Sequence, residues 1–154
     1  MLATLHIMRA VVRDALHSPL LHSLASRISS HVHSRDPIDH LRAVARFLGA
    51  AVSFKADPFG VEHLRTPEQL IEEIEQHGNV AADCDDLAML AAALIRSIGL
   101  EPYFVVAGRT QRLTHVFPAA RVRGGAIIPM DVQEGLPVGR WPEGVARQVV
   151  FRAI

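Results

Sequence analysis

The stretch Asn79–Leu90, with the sequence NVAADCDDLAML, contains the only cysteine of the chain and predicts the start of a helix around it. Asp83 is a favourable N-cap, and Asp86 lies three residues later, as in a capping box with Asp in place of Glu. Apolar residues then recur at spacings of three and four as far as Ile98, which predicts one buried helix face that ends before the next glycine. Cys84 therefore falls in the first helical turn.

Cys84 is a candidate nucleophile because of this position. The free N–H groups and the dipole of a first turn favour a thiolate, so we expect the pKa of Cys84 to lie below the value of about 8.5 for a free thiol. The alternative is a small buried hydrophobe, as a lone cysteine often is, and the like charges of Asp83, Asp85 and Asp86 oppose ionisation. The nucleophile hypothesis therefore needs a histidine and an acid elsewhere in the chain.

Composition and charge exclude several classes of protein. The chain has 154 residues, of which 49 % are apolar, and this is enough for one folded domain. Its net charge is zero and its basic residues are scattered along the sequence, which argues against a nucleic-acid partner. One cysteine cannot form an intramolecular disulfide, and no apolar run is long enough for a membrane helix. Because Met1–Arg9 also lacks the pattern of a signal peptide, we expect a cytoplasmic protein with no membrane partner.

The first half of the chain is predicted to be mainly helical. Helix-start signals stand at Asp36 before a proline, and at Thr66 before a proline and a glutamine. Apolar periodicity predicts helices over 1–17, 20–34, 37–49 and 66–77. Residues 50–65 are expected to be extended or looped, with a turn at 57–60. We interpret 1–154 as a single domain, with a helical N-terminal extension over 1–45 and a catalytic core over 50–152.

The second half is predicted to form strands, because the apolar period changes from 3.6 to about 2 after the cysteine helix. Strands are expected at 103–107, 113–117 (continued by or followed by 120–123), 126–132 and 148–151. Gly124 and Gly125 are typical of a hairpin turn, and Pro129 predicts an edge strand or a bulge. Helices followed by an antiparallel sheet indicate an α+β domain.

His115 and Asp131 are the candidate base and acid. The hairpin at Gly124 and Gly125 would place His115 roughly across from Met130 and Asp131, so that the carboxylate reaches a ring nitrogen. We expect the other ring nitrogen to lie within about 4 Å of the Cys84 sulfur. The alternative is that the histidine is a half-buried strand residue and the aspartate a turn residue.

The residues named so far also resemble a known family, the transglutaminase-like superfamily, and in particular its bacterial and phage-associated cysteine-peptidase-like members. The likeness rests on 83–88, 94–99, 114–116 and 129–131, together with the upstream stretches 57–62 and 65–70. It covers about residues 50–132. The resemblance implies a papain-like α+β core, with Cys84 as nucleophile, His115 as base and Asp131 as orienting acid.

This chemistry would be acyl transfer through a thioester. Attack of the thiolate on a peptide, isopeptide or glutamine amide releases an amine, and water or a lysine amine then accepts the acyl group. The implied partner is a protein or peptide substrate, and the reaction needs no cofactor.

Two alternatives to this enzyme remain. One is a non-catalytic binding or structural module, possible in a phage particle or prophage remnant, that keeps the fold. The other is a calcium-binding variant, because Asp83, Asp85 and Asp86 are oxygen ligands of the kind that calcium prefers. Against calcium, Asp83 is expected to cap the helix and Asp86 to pack or to pair with an arginine.

Overall fold

The computed structural model describes residues 2–58 and 63–154 and forms an α+β domain. The elements in chain order are α1 (Leu2–Ala15), α2 (Pro19–Ser30), α3 (Pro37–Ala51), β1 (Val52–Phe54), α4 (Pro67–His77), β2 (Val80–Ala82), α5 (Cys84–Ser97), β3 (Glu101–Gly108), β4 (His115–Arg121), β5 (Ile127–Pro129) and β6 (Arg147–Arg152). Part of the predicted turn at 57–60 lies outside the described residues.

Several helix ends lie where capping chemistry predicts, but two predicted ends were wrong. Helix α2 ends at Ser30 and not at 34, and α3 continues through Gly49 to Ala51. Asp36 accepts a hydrogen bond from the Ile38 N–H at the start of α3. Thr66 and Gln69 form a complete capping box at the start of α4. Gly78 ends α4 with a φ of 78°, a left-handed conformation that glycine adopts at little cost.

The main sheet is antiparallel, with the strand order β5-β4-β3-β6. Its hairpin turn contains Gly124 and Gly125, both at positive φ, and the Val122 N–H donates to the Ala126 carbonyl across it. Pro129 lies in edge strand β5, where the absence of an N–H costs the sheet no hydrogen bond between strands. The two segments predicted at 113–123 form one strand, β4, and the strand predicted at 126–132 is shorter, 127–129.

A small parallel pair of strands was missed by the sequence analysis. β1 pairs with β2 in the register Val52 to Val80, and residues 52–54 had been expected only as extended or looped chain. Three-residue strands are too short to show a period of two, and their pairing partners lie far apart in sequence. The pair matters because β2 ends two residues before Cys84 and so fixes the entry to α5.

Helix α5 is the centre of the core, and the expectation that only one of its faces is buried was wrong. Every residue from Asp86 to Ile95 is buried, because α1, α2, α3 and α4 pack around the sides that the sheet leaves open. The small residues Ala88 and Ala91 to Ala93 allow this close approach on several sides. Leu5, Met8, Leu21, Leu41 and Leu48 of the N-terminal helices belong to the same core.

The opposite face of the sheet carries a second, smaller apolar cluster: Tyr103, Val105, Ala107, Phe117 and Ala119. None of the helices within residues 2–58 and 63–154 has the length and apolar character needed to cross a membrane.

Candidate active site

Cys84 is the first residue of α5, and the predicted N-cap, Asp83, is present. The predicted capping box is not formed, because the Asp86 carboxylate binds Arg65 instead of the Asp83 backbone. The Oδ1 of Asp83 accepts the Asp86 N–H at 2.9 Å, which fixes the first turn of the helix. The Cys84 side chain is partly buried and lines two cavities, one on the side of His115 and one on the side of α1. The cysteine is therefore next to a cavity on two sides.

His115 and Asp131 make the contact that the sequence predicts. The Nε2 of His115 lies 2.9 Å from the Oδ2 of Asp131, and the Asp131 carboxylate is fully buried. The second carboxylate oxygen accepts the Glu134 N–H at 3.4 Å. Because a carboxylate accepts hydrogen bonds, we assign the hydrogen to Nε2, which leaves Nδ1 as the acceptor in the neutral imidazole.

The register that brings this pair together differs from the predicted one. Ala119 pairs with Pro129, so continuing the ladder would set Asp131 opposite Phe117 and not opposite His115. Phe117 and His115 lie on the same face of β4, two residues apart, so the carboxylate reaches the ring diagonally. Asp131 itself lies beyond the end of β5, where the chain turns away from the sheet.

Cys84, His115 and Asp131 all line one cavity of about 620 Å³. Two aromatic side chains at its margin were not singled out by the sequence analysis, Phe54 at the end of β1 and Trp141 in the loop before β6. They are 54 % and 38 % exposed, which is unusual for such large apolar groups. Neither stands in a periodic segment, so no pattern pointed to them.

Two contacts between aromatic rings connect Trp141 in the cavity wall to His115. The rings of His115 and Phe117 have centroids 5.5 Å apart, and those of Phe117 and Trp141 are 6.4 Å apart in an edge-on arrangement. These contacts cover one side of the imidazole and restrict its orientation.

The protonation state of Cys84 differs from the sequence prediction. Burial, followed by the charge of Asp85, raises the pKa of the Cys84 thiol to about 12, although the Val116 N–H partly offsets this by donating to the sulfur. The Oδ1 of Asp85 lies 3.7 Å from the sulfur. The expected lowering of the pKa by the helix start was wrong for this state of the protein, because desolvation and a neighbouring carboxylate outweigh the dipole.

Val116 follows His115 directly in β4 and lines the cavity on the α1 side together with Cys84. The cysteine therefore shares a cavity wall with the strand that carries the histidine.

The aspartates next to Cys84 have separate structural partners. Asp86 is almost fully buried and binds Arg65, whose backbone N–H and Nε donate to its two carboxylate oxygens at 2.8 and 3.2 Å. The prediction that Asp86 packs or pairs with an arginine is confirmed.

Desolvation raises the pKa of Asp83 to about 7, with further contributions from the charges of Asp86 and Asp85.

Arg65 connects this region to two further elements. Its Nη1 donates to Glu73 of α4 at 3.2 Å, and its Nη2 donates to the Ala81 carbonyl of β2. Among the residues that the structure describes, no group of three or more His, Cys, Asp or Glu side chains is placed to hold a metal ion. Calcium binding by the aspartates stays a prediction.

Comparison with known proteins shows the fold. The sequence matches no protein-family model and no curated protein. A candidate cysteine protease from Cytophaga hutchinsonii superposes with a TM-score of 0.56 and 20% identity, over 86% of this chain and 46% of that one. LapG from Legionella pneumophila superposes with a TM-score of 0.55 and 10% identity, over 97% of this chain and 87% of that one. The chain thus spans about half the length of the Cytophaga protein, and its fold is of the papain and transglutaminase-like type.

Proposed function

We propose that the protein is a cysteine-dependent acyl-transfer enzyme acting on peptide or related amide bonds, with Cys84 as nucleophile, His115 as base and Asp131 as orienting acid. The observation that carries this proposal is the bond from His115 Nε2 to the buried Asp131 carboxylate, at the edge of a cavity that Cys84 also lines. A histidine oriented in this way, lining the same cavity as a thiol, supports nucleophilic catalysis as the function.

The first step in this mechanism is proton transfer from the thiol. In the neutral imidazole with its hydrogen on Nε2, His115 Nδ1 takes the Cys84 proton while the sulfur attacks the substrate carbonyl carbon. Because burial and Asp85 hold the free thiol neutral, the proton moves when substrate fills the cavity and not beforehand. The buried Asp131 carboxylate stabilises the imidazolium that forms.

The tetrahedral intermediate then collapses to a thioester. The first N–H groups of a helix have no partner within the helix, so the Cys84 N–H is a suitable donor to the oxyanion. The imidazolium returns its proton to the departing amine, and the C–N bond breaks. Water attacking the thioester gives hydrolysis, whereas a lysine amine gives a new amide.

Trapping the acyl-enzyme tests this chemistry. The full chain is mixed with p-nitrophenyl acetate, quenched in acid, digested and analysed by mass spectrometry. We expect an acetyl group on Cys84 that disappears on incubation at neutral pH and regenerates free thiol. A Cys84→Ala variant controls for acetylation of lysines. If Cys84 carries no acetyl group and the folded Cys84→Ala variant releases p-nitrophenol as fast as the wild type, the sulfur is not the nucleophile.

The raised pKa of Cys84 favours a second candidate function, a non-catalytic module that keeps the fold of an enzyme. A thiol with a pKa of about 12 is almost entirely neutral at physiological pH, which suits a packing role better than a preformed nucleophile. The two functions differ in one result. In a module, acetylation of Cys84 is no faster than that of a small thiol, and it does not depend on His115.

A further inference from the structure

Five arginines from separate parts of the chain line one cavity of about 1020 Å³. They are Arg35, Arg96, Arg121, Arg123 and Arg152. Arg35 precedes α3, Arg96 is near the end of α5, Arg121 and Arg123 lie at the end of β4 and beyond it, and Arg152 ends β6. Five of the 16 basic residues that are scattered along the sequence are therefore brought together by the fold.

The charge of this arginine cavity is not balanced by its own acidic side chains. Glu101 is the one acidic side chain among the described residues that line it, so the lining side chains carry a net charge of +4. The chain as a whole has a net charge of zero. A concave surface with one sign of charge concentrates its field and attracts ions of the opposite sign.

Glu101 holds two of the arginines in place and leaves three available. Its carboxylate oxygens lie 2.5 Å from Arg152 Nη2 and 3.6 Å from Arg121 Nη1. Arg35, Arg96 and Arg123 have no ion pair within the described part of the chain. Exposed guanidinium groups without partners are ready to bind carboxylates, often through two hydrogen bonds at once.

The cavity is also lined by apolar side chains, and these indicate which kind of anion it binds. Ile98, Leu100 and Val122 are partly buried apolar side chains within the cavity. A surface that combines apolar side chains with arginines is typical of a protein interface. No aromatic side chain is present among the described lining residues, so nucleotide bases have no ring on which to stack.

We propose that the arginine cavity binds an acidic segment of a partner protein, one that alternates carboxylate and apolar side chains. Arg96 lies twelve residues along α5 from Cys84, or about 18 Å at 1.5 Å per residue, so the two sites are separate. Binding here requires no chemistry at Cys84 and holds whether or not the protein is an enzyme.

Fluorescence anisotropy of the full chain tests the proposal. The probe is a fluorescein-labelled decapeptide in which glutamate alternates with leucine, titrated at low ionic strength because screening weakens exposed ion pairs. A matched decapeptide with glutamine for glutamate measures the contribution of charge, and labelled decathymidylate measures binding of a nucleic acid.

Two double variants separate the cavity from overall charge. Arg96→Gln with Arg123→Gln removes two cavity charges, whereas Arg13→Gln with Arg46→Gln removes two exposed charges outside it. We expect the first pair to weaken peptide binding about three- to tenfold and the second to change it less than about twofold. Glu101→Gln should tighten binding, because it frees Arg121 and Arg152.

Several results would overturn the proposal. Equal weakening by both double variants would show attraction to the whole surface, and equal affinity for the glutamine peptide would show that carboxylates are not recognised. Unchanged or weaker binding by Glu101→Gln would contradict the competition between Glu101 and the ligand. Tighter binding of decathymidylate, lost in the cavity variant, would make the occupant a nucleic acid.

Discussion

The Nε2 of His115 and the Oδ2 of Asp131 lie 2.9 Å apart, and the carboxylate that accepts this bond is fully buried. A buried acceptor of this kind fixes both the tautomer and the orientation of the imidazole. Replacing Asp131 in two ways separates orientation from charge.

Asp131→Asn keeps an oxygen that accepts the Nε2–H, whereas Asp131→Ala removes both carboxylate oxygens. We expect Asp131→Asn to slow acylation of Cys84 moderately and Asp131→Ala to slow it more. Asp131→Ala should also lower the free energy of unfolding by about 1–3 kcal/mol, because it leaves the His115 and Glu134 donors without their acceptor. Urea unfolding and acylation rates measure both effects. Equal acylation rates in the two variants would argue against an orienting role.

Asp85 should oppose ionisation of the Cys84 thiol in the substrate-free protein. Its charge raises the pKa of Cys84, so Asp85→Asn should move the labelling midpoint to lower pH, while burial keeps it above that of an exposed thiol. The measurement is the rate of iodoacetamide labelling against pH. Asp14→Asn, which removes the same charge from α1 outside both cavities, is the control. If the two variants label alike, the local charge of Asp85 is not responsible.

Asp83 makes folding stability depend on pH. Its pKa is raised to about 7 in the folded protein from an ordinary value of 3.8, so the folded state holds its proton more tightly than the unfolded state does. Its unfavourable contribution is therefore small below pH 4, grows as the pH rises towards 7 and is constant above that. Asn caps a helix as well as Asp, so Asp83→Asn should stabilise the protein at pH 8 and have little effect at pH 4.

The gain at pH 8 should be about 1–2 kcal/mol, well below the value from the full shift, because Asp83 is partly exposed to water. Urea unfolding at the two pH values measures it. A loss of stability at pH 8 would show that the charge of Asp83 is needed.

Arg65 should contribute far more to stability than a surface arginine. It binds the buried Asp86, together with Glu73 and a carbonyl of β2. Arg65→Met would keep the backbone N–H bond to Asp86 but remove the guanidinium that pairs with this buried carboxylate, and should cost about 3 kcal/mol. Arg27→Met breaks an ion pair between side chains that are 57% and 43% exposed and should cost less than about 1 kcal/mol. Similar losses from the two variants would contradict this difference.

The sequence predicts those parts of the fold that depend on local chemistry. The caps at Asp36, Thr66 and Asp83 and the glycine hairpin are short-range signals, and the structure has all of them. The encirclement of α5 and the pairing of β1 with β2 depend on contacts between distant segments, so no local pattern contains them.

The same difference between local and long-range effects applies to the candidate site. The contact between His115 and Asp131 was predictable because one hairpin connects them, even though the predicted register was two residues off. The pKa of Cys84 was not predictable, because the burial that raises it arises from packing of the whole chain around α5. The arginine cavity was missed for a similar reason, since its members are far apart in sequence.

In the proposed mechanism, His115 takes the proton of Cys84 during acylation. The rate of Cys84 acetylation by p-nitrophenyl acetate at neutral pH, in the wild type and in His115→Ala, tests this step. His77→Ala, at the exposed end of α4, is the control for loss of a histidine. We expect a fall of about 100-fold or more in His115→Ala and no change in His77→Ala. Equal rates in the wild type and in His115→Ala, with both folded, would contradict it.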